Sequence, residues 1–196
     1  MNNELDSLLN KIKTLEEELI EELQKQQEEF SYEIRKHQIY FEKNIILRHK
    51  HYAKALLRYL RDAPLKHVIT APIVWSCLLP ALILDASVSL YQAVCFPVYG
   101  IPKVSRQDYI VFDRQYLNYL NLIEKLNCAY CSYFNGLIAY IQEIAARTEQ
   151  FWCPIKHARR IKNLHSRYRK FISYGNAEIY RNRIESIRRD FKDLEK

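Results

Sequence analysis

From Val68 to Tyr99 the chain runs VITAPIVWSCLLPALILDASVSLYQAVCFPVY, 32 residues with a single charge, Asp85. That much apolar side chain has to leave water, into a protein core or into a bilayer. Val68 to Leu84 is 17 residues, the lower limit for a helical crossing, and Pro72 and Pro80 interrupt it; Ala86 to Tyr99 is 14 residues. Two short apolar helices around one polar residue predict a hairpin, with Asp85 at its tip or capping the second helix. Bases flank it on both sides: Arg58, Arg61 and Lys66 before, Lys103 and Arg106 after. Basic flanks are held on the cytoplasmic side, so a re-entrant hairpin suits them better than a single span. Membrane insertion from the cytoplasmic face of the inner membrane is the preferred expectation. The alternative is a buried hairpin in a soluble cytoplasmic protein. An Asp85 deep in lipid would need a partner.

The rest of the chain is short of turn residues, with 3 glycines and 6 prolines in 196 residues. A many-stranded β fold needs a turn about every 8–12 residues, so the expectation is all-α. Three segments follow from this: a long coiled-coil-like helix over 1–63, the apolar hairpin over 64–104, and a helical domain with a basic tail over 105–196. In the first, Leu5, Leu8, Ile12, Leu15 and Leu19 keep the 3-4 spacing of a coiled-coil seam. Leu23, Phe30, Ile34, Phe41 and Ile45 continue an apolar stripe in a shifted register, like a stutter. Residues 1–30 hold nine acids against three bases and little apolar surface, so this helix is expected to self-associate through residues 5–45 rather than fold alone. His37, His49, His51 and His67 read as solvated. No secretory leader is expected from the opening MNNELDSLLNKIKTLEEE, which is acidic and lacks an apolar core.

Further along, LNCAYCSY supplies Cys128 and Cys131, and QFWCPIKHARR supplies Cys153 and His157. Three thiolates and an imidazole are the ligand set of a closed tetrahedral Cys3His site, suited to zinc, with iron as the other candidate. A closed site is structural rather than catalytic. The odd total of five cysteines fits a metal in a reducing compartment better than disulfides. Cys128 and Cys131 share a helix face, but 18 residues of helix after Cys131 would rise about 27 Å. Residues 114–149 read as helical, so this helix must fold back near Asn135-Gly136, or a second subunit must complete the site. The other reading makes these small core residues and ordinary helix-start residues. Arg147 and Glu149 are candidates for orienting a ligand from behind; a helix-surface ion pair is the plainer alternative.

Pro154 should end that helix. A basic helix from Ala158 to about Ile172 is expected next, then a stop at Gly175 and a last charged helix over Ala177–Leu194. Residues 151–196 carry 13 bases against five acids. Arg159, Arg160, Lys162, Arg167, Arg169 and Lys170, mixed with aromatic side chains, suit an anionic lipid surface or an acidic partner more than nucleic acid. Glycine-rich phosphate loops, Gly-x-Ser-x-Gly elbows and His-Glu-x-x-His are absent from the sequence.

YQAVCFPVYGIPKV, YLNLIEKLNCAYCSYFNGLIAY and EIAARTEQFWCPIKHARR resemble strings of an uncharacterised bacterial protein family, across roughly residues 64–175. The family has no assigned activity. The resemblance implies only that the apolar segment, the cysteine pair and CPIKH form one module, with the acidic N-terminal helix outside it. The expected function is therefore a non-enzymatic, oligomeric, membrane-associated scaffold. A membrane-bound metal or redox enzyme using the Cys-x-x-Cys pair is the rival, and a soluble helical adaptor a third option.

Overall fold

The computed structural model describes residues 3–29, 32–35, 38–41 and 43–194. It is mostly helical and divides into two compact units, one of residues 1–62 and 113–126, the other of 63–112 and 127–196.

The first unit opens with α1, Asn3–Glu29, followed by strands β1, Tyr32–Arg35, and β2, Gln38–Phe41, then α2, Lys43–Tyr52, and α3, Leu56–Asp62. The single helix expected over 1–63 is therefore interrupted. The strands pair antiparallel, with Tyr32 opposite Phe41 and Ile34 opposite Ile39. Tyr32, Ile34, Ile39 and Phe41 are aromatic or β-branched and fall on a period of two within each strand. The same residues fit a helical stripe only loosely, and local strand preference wins. Phe30 and His37 lie outside the described residues. Every described side chain of α1 is exposed, including Leu8, Ile12, Leu15, Leu19 and Leu23. His49 is not simply solvated: its ring lies edge-on to Phe41 and Tyr119, with centroids 4.9 and 5.1 Å away.

The second unit is built on two helices. The expected hairpin at Asp85 does not form. Instead α4, Leu65–Ser76, meets α5, Leu78–Tyr99, at Cys77, which keeps right-handed helical angles (φ −64°, ψ −16°). Pro80 explains the joint, because its missing N–H leaves the carbonyl of Ser76 without its helical donor. No glycine and no further proline occurs before Pro97, so nothing stops the helix at Asp85. Gly100 ends α5 in the left-handed conformation (φ 67°).

The next helix, α6, runs unbroken from Leu122 to Trp152, 31 residues. It does not start at Arg114. Asn121 caps it: its Oδ1 accepts from the Glu124 N–H at 3.0 Å, and Glu124 Oε2 accepts from the Asn121 N–H at 2.9 Å. This reciprocal pair is a capping box.

Helices α5 and α6 run parallel. Their contacts climb together, Asp85 with Tyr133, Gln92 with Tyr140 and Tyr99 with Phe151, continuing the contact of Trp75 in α4 with Tyr130. Residues 100–112 therefore have to return along both helices. Ile101, Val104 and Ile110 are buried with Ala81, Phe96, Leu137, Tyr140 and Ile144 in one core cluster. A return strand of this kind has unpaired backbone groups, and side chains of the two helices satisfy them. Gln92 grips Val104 from both sides, accepting from its N–H at 2.6 Å and donating to its carbonyl at 3.3 Å. Arg147 donates to the carbonyls of Pro102 (2.8 Å) and Lys103 (3.1 Å).

Gly136 does not bend α6; it admits this return segment. A β-carbon there would lie 2.5 Å from the Tyr109 carbonyl oxygen and 2.9 Å from the Ile110 Cα. Gly136→Ala would gain up to about 1 kcal/mol of helix propensity, but backbone blocks the methyl, and overpacking costs about 1–3 kcal/mol. Net destabilisation is expected in denaturant unfolding. A more stable variant would show that the segment does not sit there.

Beyond α6, the expected helix over 158–172 is absent. That stretch is irregular except for a 3-10 turn at Tyr168–Lys170. Its sequence ARRIKNLHS offers no acid to balance its bases, and like charges one turn apart oppose a helix. Two hydrogen bonds of 2.8 Å, Ile172 N–H to Pro154 and Lys156 N–H to Ile172, hold its ends together. The last helix, α7, is shorter than expected, Ala177–Arg188.

Candidate functional site

The main unexplained surface is the outside of α4 and α5. Together they form a 35-residue helical run, Leu65–Tyr99, long and apolar enough to cross a membrane, and its most apolar 18-residue stretch is only 6 % buried. Ala81, Asp85, Gln92 and Phe96 form the buried stripe toward α6. The remaining faces hold exposed Leu65, Ile69, Ile73, Leu79, Ile83, Leu90, Val94 and Val98. Burying such a side chain is worth about 1.5–3 kcal/mol, so this face has a strong drive to be covered.

Asp85 has the partners that a charge in an apolar helix requires. Arg106 Nη2 donates to its Oδ2 at 2.6 Å, Tyr133 Oη donates to the same oxygen at 2.9 Å, and Ser89 Oγ donates to Oδ1 at 3.3 Å. This engagement also draws Arg106 away from its expected role as a free basic flank.

The cysteine–histidine quartet is not gathered within one chain. Cys128 and Cys131 lie in the first third of α6, while Cys153 and His157 follow its C-terminus. From Cys131 to Trp152 the unbroken helix rises about 32 Å, whereas shared zinc ligands lie about 2–2.3 Å from the ion. Among the described residues no three or more His, Cys, Asp or Glu side chains converge as a metal-holding group. The residues present therefore do not fit a one-chain Cys3His site.

The two residues expected behind the ligands have other partners. Arg147 Nε donates to Glu143 Oε1 at 2.8 Å, both side chains being 9 % exposed. Glu149 Oε2 lies 3.1 Å from His165 Nε2, an approach in distance without hydrogen-bond alignment.

The basic tail separates into two groups. Arg167 is 2 % exposed and forks onto Asp193 at 2.6 and 3.0 Å while donating to Gln150 Oε1 at 2.6 Å. Lys170 reaches Asp193 at 2.6 Å and Asp190 at 3.0 Å, and Arg169 lies 3.8 Å from Asp193. Arg167 and Lys170 hold the C-terminal segment in place and are not a free surface, whereas Arg169 stays exposed at the edge of this cluster. Arg159, Arg160 and Lys162 are exposed.

Hydrogen bonds from Arg167, then from Lys170, hold the Asp193 carboxyl well below the usual carboxylate range. A depressed acid contributes stability above its unfolded value, near pH 4, and loses it as pH falls toward the folded value. Thermal unfolding followed against pH should show stability falling below about pH 4. Asp193→Asn should flatten that limb while lowering stability at neutral pH; an unchanged acid limb would exclude this cluster as its source.

Sequence reasoning missed the polar stripe of α6. Tyr133, Tyr140, Glu143, Arg147 and Gln150 are all buried, and Gln150 Nε2 donates to the carbonyls of Ile187 (2.8 Å) and Asp190 (2.9 Å). The spacing was visible, since Tyr133 and Tyr140, like Glu143 and Gln150, lie seven apart, two helical turns.

Comparison with known protein families, curated proteins and solved structures finds no match to this chain.

Proposed function

We propose that the protein is a non-enzymatic scaffold anchored in a membrane by the α4–α5 run. The observation that carries this reading is a 35-residue apolar helix whose most apolar stretch is 6 % buried. A core helix of a soluble protein would be mostly covered by its own chain. The run is about 52 Å long, and α6 contacts it from Trp75 to Tyr99, so lipid would cover the face opposite α6 rather than a free-standing span. Arg58 and Arg61 precede it in sequence and Lys66 lies in its first turn; these bases favour a start at the cytoplasmic face of the inner membrane.

Self-association through α1 belongs to the same reading. Leu8, Ile12, Leu15 and Leu19 alternate three and four apart and are 54–62 % exposed. In that frame Lys11 falls at a g position and Glu16 at the e position five residues on, the pairing that favours a parallel partner. A zinc or iron ion enters only as a bridge between chains, Cys128 and Cys131 of one copy meeting Cys153 and His157 of another.

Membranes from cells expressing the full chain, washed with high salt and then alkaline carbonate, test the anchor. Retention until detergent is added is the expected result, and release by salt alone would refute it. Sedimentation of the detergent-solubilised chain should give an oligomer that Leu15→Lys with Leu19→Lys dissociates. Metal should accompany the oligomer; metal bound to the dissociated chain would contradict the bridging arrangement.

A further inference from the structure

The irregular segment between α6 and the 3-10 turn encloses a depression of about 390 Å³ lined by His157, Arg159, Arg160, Lys162 and Tyr168. Three of its walls are cationic, and no acid lines it. The neighbouring bases, Arg167, Arg169 and Lys170, are all paired with Asp190 or Asp193. Among the described residues no ion pair involves Arg159, Arg160 or Lys162. The chain has no acid between Glu149 and Glu178 to supply one locally. Like charges lining one depression repel unless an anion joins them. The segment is nevertheless closed on itself: the His157 N–H donates to Tyr168 Oη at 2.9 Å, and their rings lie parallel, 11° apart at 6.4 Å.

We propose that this depression binds a phosphate group, held by the guanidinium forks of Arg159 and Arg160 and the ammonium of Lys162. Guanidinium matches phosphate with paired N–H donors, and lysine adds a point charge. The group could be a soluble phosphomonoester or the headgroup of phosphatidic acid; only the lipid source rests on the membrane anchor proposed above.

The full chain in neutral detergent, titrated with glycerol 3-phosphate, tests the soluble source. Flotation with phosphatidylcholine vesicles, with and without phosphatidic acid, tests the lipid. Each is run on the wild type, on R159Q/R160Q/K162Q, and on R181Q/R183Q/R189Q, which removes the same charge from exposed positions of the C-terminal segment. The expected result is at least a tenfold loss of affinity for glycerol 3-phosphate, or for the phosphatidic acid increment, in the first variant only. Equal loss in both variants, or none in the first, overturns the site. Failure to float with pure phosphatidylcholine refutes the anchor instead, and the glycerol 3-phosphate titration alone then decides whether the site exists.

Discussion

Leu79→Lys together with Ile83→Lys is expected to detach the protein from membranes while leaving the second unit folded. Both side chains are at least 60 % exposed and neither belongs to the core cluster, so the fold does not depend on them. They sit near the middle of the Leu65–Tyr99 run, one helical turn apart on the same face. A lysine at the centre of a membrane helix costs about 2.5–3.5 kcal/mol. Two cost about 5–7 kcal/mol, a fall in partition of about three to five orders of magnitude. Snorkelling to the interface recovers part of this, so the same pair placed at Leu65 and Ile69, near the end of the run, should do much less. Carbonate extraction of both variants gives the comparison. If the central pair stays in the membrane pellet as fully as the wild type, α4–α5 is not in lipid.

Arg147→Met should cost about 3–5 kcal/mol of stability, because removing one partner leaves the buried Glu143 carboxylate without its counter-charge. The loss reaches beyond the pair, since Arg147 also holds the carbonyls of Pro102 and Lys103. Glu143 keeps one donor, the Ser166 hydroxyl at 2.6 Å. The double change Glu143→Leu with Arg147→Met removes both charges and should cost less than the two single changes added together, as coupled groups do. Urea unfolding of all three variants measures the coupling. An Arg147→Met loss within about 0.5 kcal/mol, the range of ordinary surface changes, would mean that the return segment does not depend on this side chain.

Sequence reasoning reached the all-α class because scarce glycine and proline act through the whole chain. It located the break that one residue type dictates at Pro154, while the stop expected at Gly175 has no α-helix to end there. It went astray where tertiary partners decide. Asp85 looked like a hairpin tip because its three donors come from positions 89, 106 and 133, and no local pattern announces them. Arg167 looked like a surface base because Asp193, 26 residues on, supplies the reason to bury it. Gly136 was legible as special, but as the place where the helix would fold back; the carbonyl of Tyr109 shows a close contact instead. The quartet shows the limit of ligand spacing: residue types and gaps suited a metal, but the gap is filled by straight helix.

The return segment between two parallel helices also sets an order of assembly. Its bonds to α5 close loops of 12 residues, Gln92 to Val104, and 21 residues, Asp85 to Arg106. Its bonds to α6 close loops of 44 and 45 residues, through Arg147. Each doubling of a loop adds about 0.6 kcal/mol of closure entropy, so the shorter loops close first. As the chain emerges from the ribosome, α5 meets partners for Asp85 and Gln92 before any of α6 exists. The polar groups of α5 thus find partners among the next dozen or so residues synthesised, and α6 docks onto a surface already prepared for it.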